Sequence, residues 1–239
     1  TQRIETISDS DIQSYGRAGC PFRKDEKTSG NLDFLALSTP AATQADLPQW
    51  LEGRNHDDLV LELDVVTRAV EDCQPAACGV YMGRSSKTEE VYESTEHRFG
   101  MKHVACRVEV NVTDLRGEFT KAGAKPGVWV SGTMKEMNML MAGCGSEARV
   151  YKDMCVVTRA AEQYTTERFG VLPSGSGQTL SVDIMNADEK LVTLTVPSDD
   201  LPRGAEAGGL VIFEYTLGAT EFTVIVNGYR RNYVVIDGM

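Results

Sequence analysis

CRVEVNVT, residues 106–113, sets Cys106, Val108, Val110 and Val112 against Arg107, Glu109, Asn111 and Thr113. A period of two puts the first set on one face of a strand and the second on the other. The stretch therefore predicts a strand packed on one side and wet on the other. The same alternation recurs upstream, where Leu59, Leu61, Leu63 and Val65 face away from Glu62 and Asp64. Downstream, Val128-Trp129-Val130-Ser131 leads into Gly132, and a glycine inside a strand predicts a bend. Residues 149–157 predict a further strand and residues 79–82 a short one. Leu180, Val182 and Ile184 return as Val192, Leu194 and Val196 across Asn186-Ala187-Asp188-Glu189, which is a hairpin signature. Residues 210–217 and 222–226 predict a second hairpin around Gly218, and 233–236 a last strand. Long amphipathic helical patterns are absent, so the fold class is mostly β.

A chain of 239 residues fits two domains of roughly 100 residues each. Residues 1–45 hold no periodicity for long and are rich in Ser, Thr, Asp, Gly and Gln, which predicts an irregular N-terminal arm. Leu32, Phe34, Leu35 and Leu37 give that arm an apolar anchor. Asp46 before Leu47-Pro48-Gln49-Trp50-Leu51, with Gly53 after, predicts a short capped helical turn. The first strand-rich domain then spans 46–160 and a second, smaller one 168–239. Residues 84–97 are polar enough to predict a long exposed loop.

No stretch approaches the roughly 18 to 20 apolar residues of a membrane helix, and TQRIETISDSD lacks the layout of a secretory signal. A soluble chain with no membrane partner is expected; since it starts at Thr1, a removed leader stays open. Six cysteines are too sparse for a small disulfide scaffold. Unlinked thiols in a reducing, intracellular compartment are the expectation, with an extracellular place also open. Asn111-Val112-Thr113 matches a glycosylation acceptor but falls inside a predicted strand.

A net charge of -11 argues against bulk attraction to polyanions. The charge is uneven. Residues 98–159 hold ten Lys/Arg against six Asp/Glu, whereas residues 160–239 hold five against eleven. The middle is mildly basic and the C-terminal part acidic.

Each domain orders its strands as three, then a short turn or helix, then two more. That order resembles the five-stranded Greek-key barrel of the oligonucleotide/oligosaccharide-binding (OB) fold. The resemblance is carried by residues 59–66, 79–82, 106–115, 126–133 and 149–157, and in the second copy by 180–186, 190–197, 209–217 and 222–236. PGVWVSGTM (126–134) followed by ARVYKDMCVV (148–157) is similar to the last two strands of such barrels. The resemblance implies binding of single-stranded DNA or RNA, with bases stacked on aromatics beside a basic groove. Trp129, Arg149 and Tyr151 would form the platform, Arg107 could meet a phosphate, and Lys135 and Lys152 would join the nucleic-acid-binding set. Trp129 between two valines also reads as a core residue, and the Arg149/Tyr151 face as solvated sheet.

Phosphate-cradling loops, HExxH and GxSxG are absent, and His56, His97 and His103 sit beside no recognisable nucleophile. A non-enzymatic protein without cofactor is expected. Cys73 and Cys78 with His103 and Cys106 could complete a tetrahedral zinc site, although a Cys73–Cys78 disulfide or unlinked thiols fit the same residues. The leading expectation is single-stranded nucleic-acid binding through the first barrel, with protein subunits held by the arm and the acidic second barrel. The alternative is a structural component of a viral particle or other large complex. A third reading is an extracellular module binding carbohydrate or protein.

Overall fold

A computed structural model describes residues 81–84, 100–138, 140–158, 162–196 and 205–235 in full; of residues 30–38, 45–46, 60–63, 66–68, 71–73 and 85–89 it describes the backbone as strand. In chain order the first strands are β1 (Gly30–Ser38), β2 (Ala45–Asp46), β3 (Val60–Leu63), β4 (Val66–Arg68), β5 (Glu71–Cys73), β6 (Tyr81–Glu89) and β7 (Lys102–His103). Next come β8 (Cys106–Thr113), β9 (Pro126–Asn138), β10 (Gly143–Asp153), β11 (Cys155–Thr158), β12 (Gln163–Thr165) and β13 (Phe169–Val171). The last are β14 (Ser181–Asn186), β15 (Glu189–Thr195), β16 (Leu210–Thr216), β17 (Glu221–Val226) and β18 (Tyr229–Val234). A mostly β chain is what the alternation predicted.

The contacts divide the chain into two compact units, residues 1–36 with 83–100 and residues 37–82 with 101–239. In the first, β1 and β6 are sheet neighbours. Both are corrections: residues 30–38 are a strand and not irregular arm, and residues 84–89 continue a strand where a loop was expected. Neither segment shows clean local alternation, so a neighbouring strand supplies the order that periodicity does not. The helical turn expected at 47–53 lies outside the described residues.

The second unit is a sandwich of two sheets. One runs β15-β14-β9-β10-β5-β4, with β3 also on β9 and β2 on β3. The other runs β11-β12-β8-β16-β17-β18, with β13 also on β8. A single apolar cluster joins Val108, Val110 and Phe213 of the second sheet to Val128, Val130, Val182 and Ile184 of the first. Each such side chain, fully withdrawn from water, contributes about 1.5–3 kcal/mol. The inward residues of β8 are the four that the opening stretch singled out, all with 2% exposure or less.

The tandem closed barrels are not found. β8 pairs in parallel with β16, from Leu210 opposite Arg107 to Thr216 opposite Thr113, and β9 pairs with β14 from Ser181 opposite Ser131 to Asn186 opposite Pro126. Ladders thus run between strands on both sides of residues 160–168. Among the described residues neither sheet closes on itself: one ends at β15 and β4, the other at β11 and β18. Strand order along the chain is compatible with both architectures, because it does not say which strand hydrogen-bonds to which.

Two local features steer the chain between sheets. The strand expected at 149–157 is two strands in different sheets, broken at buried Met154, whose amide donates to the Pro126 carbonyl at 3.0 Å. Gly132 bends β9 as its sequence position predicted: its φ is +82°, and the β9–β10 register shifts between Ala148 and Val150. That left-handed backbone suits glycine, which has no Cβ to clash.

Candidate binding surface on the eight-stranded sheet

Val128 and Val130 point into the core with 0% exposure, so Trp129 between them points out. The register then lines up neighbours from other strands on the same face. Tyr151 of β10 lies opposite Trp129, Asp183 of β14 lies opposite Trp129 on its other side, and Thr193 of β15 lies opposite Asp183. The result is a row, Tyr151–Trp129–Asp183–Thr193, crossing four strands.

Arg149 ties the row together. Its guanidinium carbon stands 5.0 Å from the Trp129 ring centroid. Its Nε donates to Ser131 Oγ at 3.3 Å and one terminal nitrogen to Asp183 Oδ2 at 3.2 Å. The other Asp183 oxygen accepts from Thr193 Oγ1 at 2.5 Å. Trp129 and Tyr151 ring centroids are 5.0 Å apart with planes tilted by 56°. Tyr151 lies over Gly127, where a Cβ would stand 2.2 Å from its hydroxyl oxygen. The Arg149 side chain is 44% exposed, so its ion pair and its ring contact are worth at most about 1 kcal/mol each. Their effect is orientation: a fixed aromatic surface flanked by a guanidinium, a carboxylate and two hydroxyls.

Of the residues expected to bind, Trp129, Arg149 and Tyr151 are brought together. Lys135 lies further along β9, and Lys152 pairs with Val128, one position beyond Tyr151. Arg107 is on the other sheet, its amide donating to the Gly209 carbonyl at 2.9 Å. Ser131, Asp183 and Thr193 were missed. Asp183 was visible only as a polar position in a predicted hairpin, and nothing local says that its strand lies against β9.

Of the candidate zinc residues, only the side chains of His103 and Cys106 are described. Cys78 lies outside the described residues, and Cys73 is the β5 position opposite Arg149. His103 Nδ1 is 3.0 Å from the Ala105 carbonyl oxygen, and its ring meets Tyr81 edge-on at 5.0 Å. Cys106 is buried in the core, and burial pushes its thiol from the ordinary 9.0 up to about 12, against a weaker opposing hydrogen bond from the Glu206 backbone. Among the described residues, no group of three or more His, Cys, Asp or Glu is placed to hold a metal ion.

The raised Cys106 value also sets a sign. The folded state favours the neutral thiol, so this contribution to stability is fully present below about pH 9 and is lost as pH rises towards 12. In the native protein at pH 8, a maleimide is expected to label exposed Cys155 readily and Cys106 only after unfolding. Peptide mass mapping of both sites checks this; equal labelling of the two in the native state would refute the burial argument.

The second unit is thus defined as a two-sheet β-sandwich with interleaved strands. No protein-family model matches this chain, and no curated protein matches it in sequence. Solved structures share its fold. One is a candidate polysaccharide-binding protein of Bacteroides thetaiotaomicron, 10% identical, covering 87% of this chain and 78% of that one with a TM-score of 0.55. Another, a candidate adhesin of the same organism, is 14% identical and covers 90% and 80% with a TM-score of 0.51. A third is the fimbrial anchor protein Mfa2 of Porphyromonas gingivalis, 11% identical, covering 85% and 76% with a TM-score of 0.51.

These findings correct four expectations. The OB-fold resemblance is replaced by likeness to these sandwiches. Binding of single-stranded DNA or RNA was implied by that resemblance alone and falls with it. The viral-particle alternative gains no support from proteins named for adhesion, polysaccharide binding and fimbrial anchoring. The intracellular location rested on unlinked thiols; Cys106, Cys144 and Cys155 are free, but the fold is one shared with a candidate adhesin and a fimbrial anchor. Among the described residues, no helix is long and apolar enough to cross a membrane.

Proposed function

We propose that this chain is a non-enzymatic, cell-surface binding module of the adhesin type that holds a saccharide against the Trp129 face. The observation that carries the reading is the row Tyr151–Trp129–Asp183–Thr193 braced by Arg149. A sugar ring presents C–H groups on its faces and hydroxyls round its rim. Indole and phenol surfaces take the former by apolar contact, while fixed carboxylate, guanidinium and hydroxyl groups exchange hydrogen bonds with the latter. The names of the polysaccharide-binding and adhesin structures support the same class of ligand and the surface location. Protein subunits belong to this reading as well, supported by the fimbrial anchor and by the exposed strands β11 and β18 that end the seven-stranded sheet.

Screening the chain against immobilised bacterial and host glycans tests the proposal. Trp129→Ala is expected to weaken the best binder by about tenfold to a hundredfold, the range for losing one stacked aromatic contact of about 1–3 kcal/mol. Unchanged binding by that variant, with an unchanged melting curve, would move the ligand elsewhere. Protease shaving of intact source cells is expected to release the chain; full protection would refute the surface location.

A further inference from the structure

The outer face of the seven-stranded sheet carries a second row that the Trp129 reading does not use. Asn111 of β8 lies opposite Glu214 of β16, Glu214 opposite Thr223 of β17, and Thr223 opposite Asn232 of β18. Gln163 of β12 extends the row's flank on the far side of β8, opposite Thr113. A groove of about 500 Å³ lies over these residues. Its polar groups are already oriented. Thr223 Oγ1 donates to Asn232 Oδ1 at 2.9 Å, which engages the amide's oxygen and leaves its N–H groups as donors. Asn111 Nδ2 donates to Glu109 Oε1 at 2.9 Å, which leaves its own carbonyl oxygen to accept. Arg230 pairs with Glu214.

We propose that this groove is a second binding site, for an uncharged, extended chain of pyranose rings lying across the strands. Three observations lead there. Neighbouring strands are spaced by about 4.8 Å, so β12 to β18 span roughly 19 Å, with a polar side chain on each strand at a spacing close to one ring of an extended β-1,4-linked chain. The row offers both donors and acceptors, the Gln163 and Asn232 amides to give hydrogens and the Asn111 carbonyl, Glu214 carboxylate and Thr223 oxygen to accept them, which suits hydroxyls because each can do both. Glu214 and Glu221 line the groove in a chain of net charge -11, so a polyanion would be repelled. An extended peptide would instead use a sheet edge, where backbone groups are open, and not a face crossed at right angles. The site is distinct from the Trp129 surface and stands or falls separately from it.

The test is a titration of the full chain with cellohexaose followed by NMR. The side-chain amide signals of Asn111, Gln163 and Asn232 are expected to move together, while the Trp129 indole signal stays still. Asn232→Leu and, separately, Thr223→Arg, which fills the groove, are each expected to weaken cellohexaose about tenfold or more, the loss that goes with one or two hydrogen bonds. A hexamer of galacturonic acid is expected not to bind. The proposal is overturned if cellohexaose leaves all three amide signals in place, if both variants with native melting curves bind it as the parent does, or if the uronate binds equally well. Movement of the Trp129 indole with other glycans bears on the first surface alone, so the two readings fail separately.

Discussion

Gly132→Ala is expected to destabilise the chain by about 3 kcal/mol or more, a larger loss than any other glycine-to-alanine change in the described strands. Two costs add. The residue sits at φ +82°, where an L side chain costs about 1–2 kcal/mol. An added Cβ would also stand 1.9 Å from the Thr179 carbonyl oxygen and 2.7 Å from its carbon. Those are backbone atoms, so no rotamer change relieves the clash, and overpacking of this kind costs about 1–3 kcal/mol more. Thr179 leads directly into β14, whose ladder with β9 starts at Ser181 opposite Ser131. Relief therefore means opening that ladder, which also carries the Trp129–Asp183 pair. Gly177 is the control: its φ is +80° but nothing lies within 4 Å of its Cβ position, so Gly177→Ala should show the backbone cost alone. Urea unfolding of both variants measures the difference; equal midpoints would disprove the steric argument.

Cutting the chain between residues 160 and 168 is expected to leave two pieces that do not fold alone. Without residues 168–239, β8 loses β16 and β9 loses β14, the partners over seven and six register positions. Val108, Val110, Val128 and Val130 then face water in place of Phe213, Val182 and Ile184. We propose that the sandwich is one cooperative unit across the boundary that composition drew. Fragments 46–160 and 168–239 expressed apart should show little near-ultraviolet circular dichroism, and should regain it on mixing. A cooperative melt of either fragment by itself would refute this.

Much of the local structure was legible. The faces of residues 106–113, the hairpin of β14 and β15, that of β16 and β17, and the outward direction of Arg149 and Tyr151 all follow from alternation, whereas Trp129 between two valines read as a core residue as well as a platform. One signal was present and unread: Asn227-Gly228, at φ 47° and 90°, turns β17 into β18, so the last strand begins at Tyr229 and not at residue 233. Others left no local trace. Met154 looks like one more inward residue, yet the chain changes sheets there. Asp183 and Thr193 look like solvated hairpin positions, yet they complete the Trp129 row.

The alternation in CRVEVNVT, by itself, determined that residues 106–113 form a strand and which four side chains it buries. Cβ direction depends only on the backbone of the residue that carries it, so a period of two is a local property. Only the tertiary structure decided that this strand lies between β16 on one side and β12 and β13 on the other, inside an open sandwich and not a closed barrel. Every strand offers the same N–H and C=O groups along its edge. The choice among partners is therefore made by how all the apolar faces pack at once, and that choice placed Trp129 beside Asp183 and Asn111 beside Glu214.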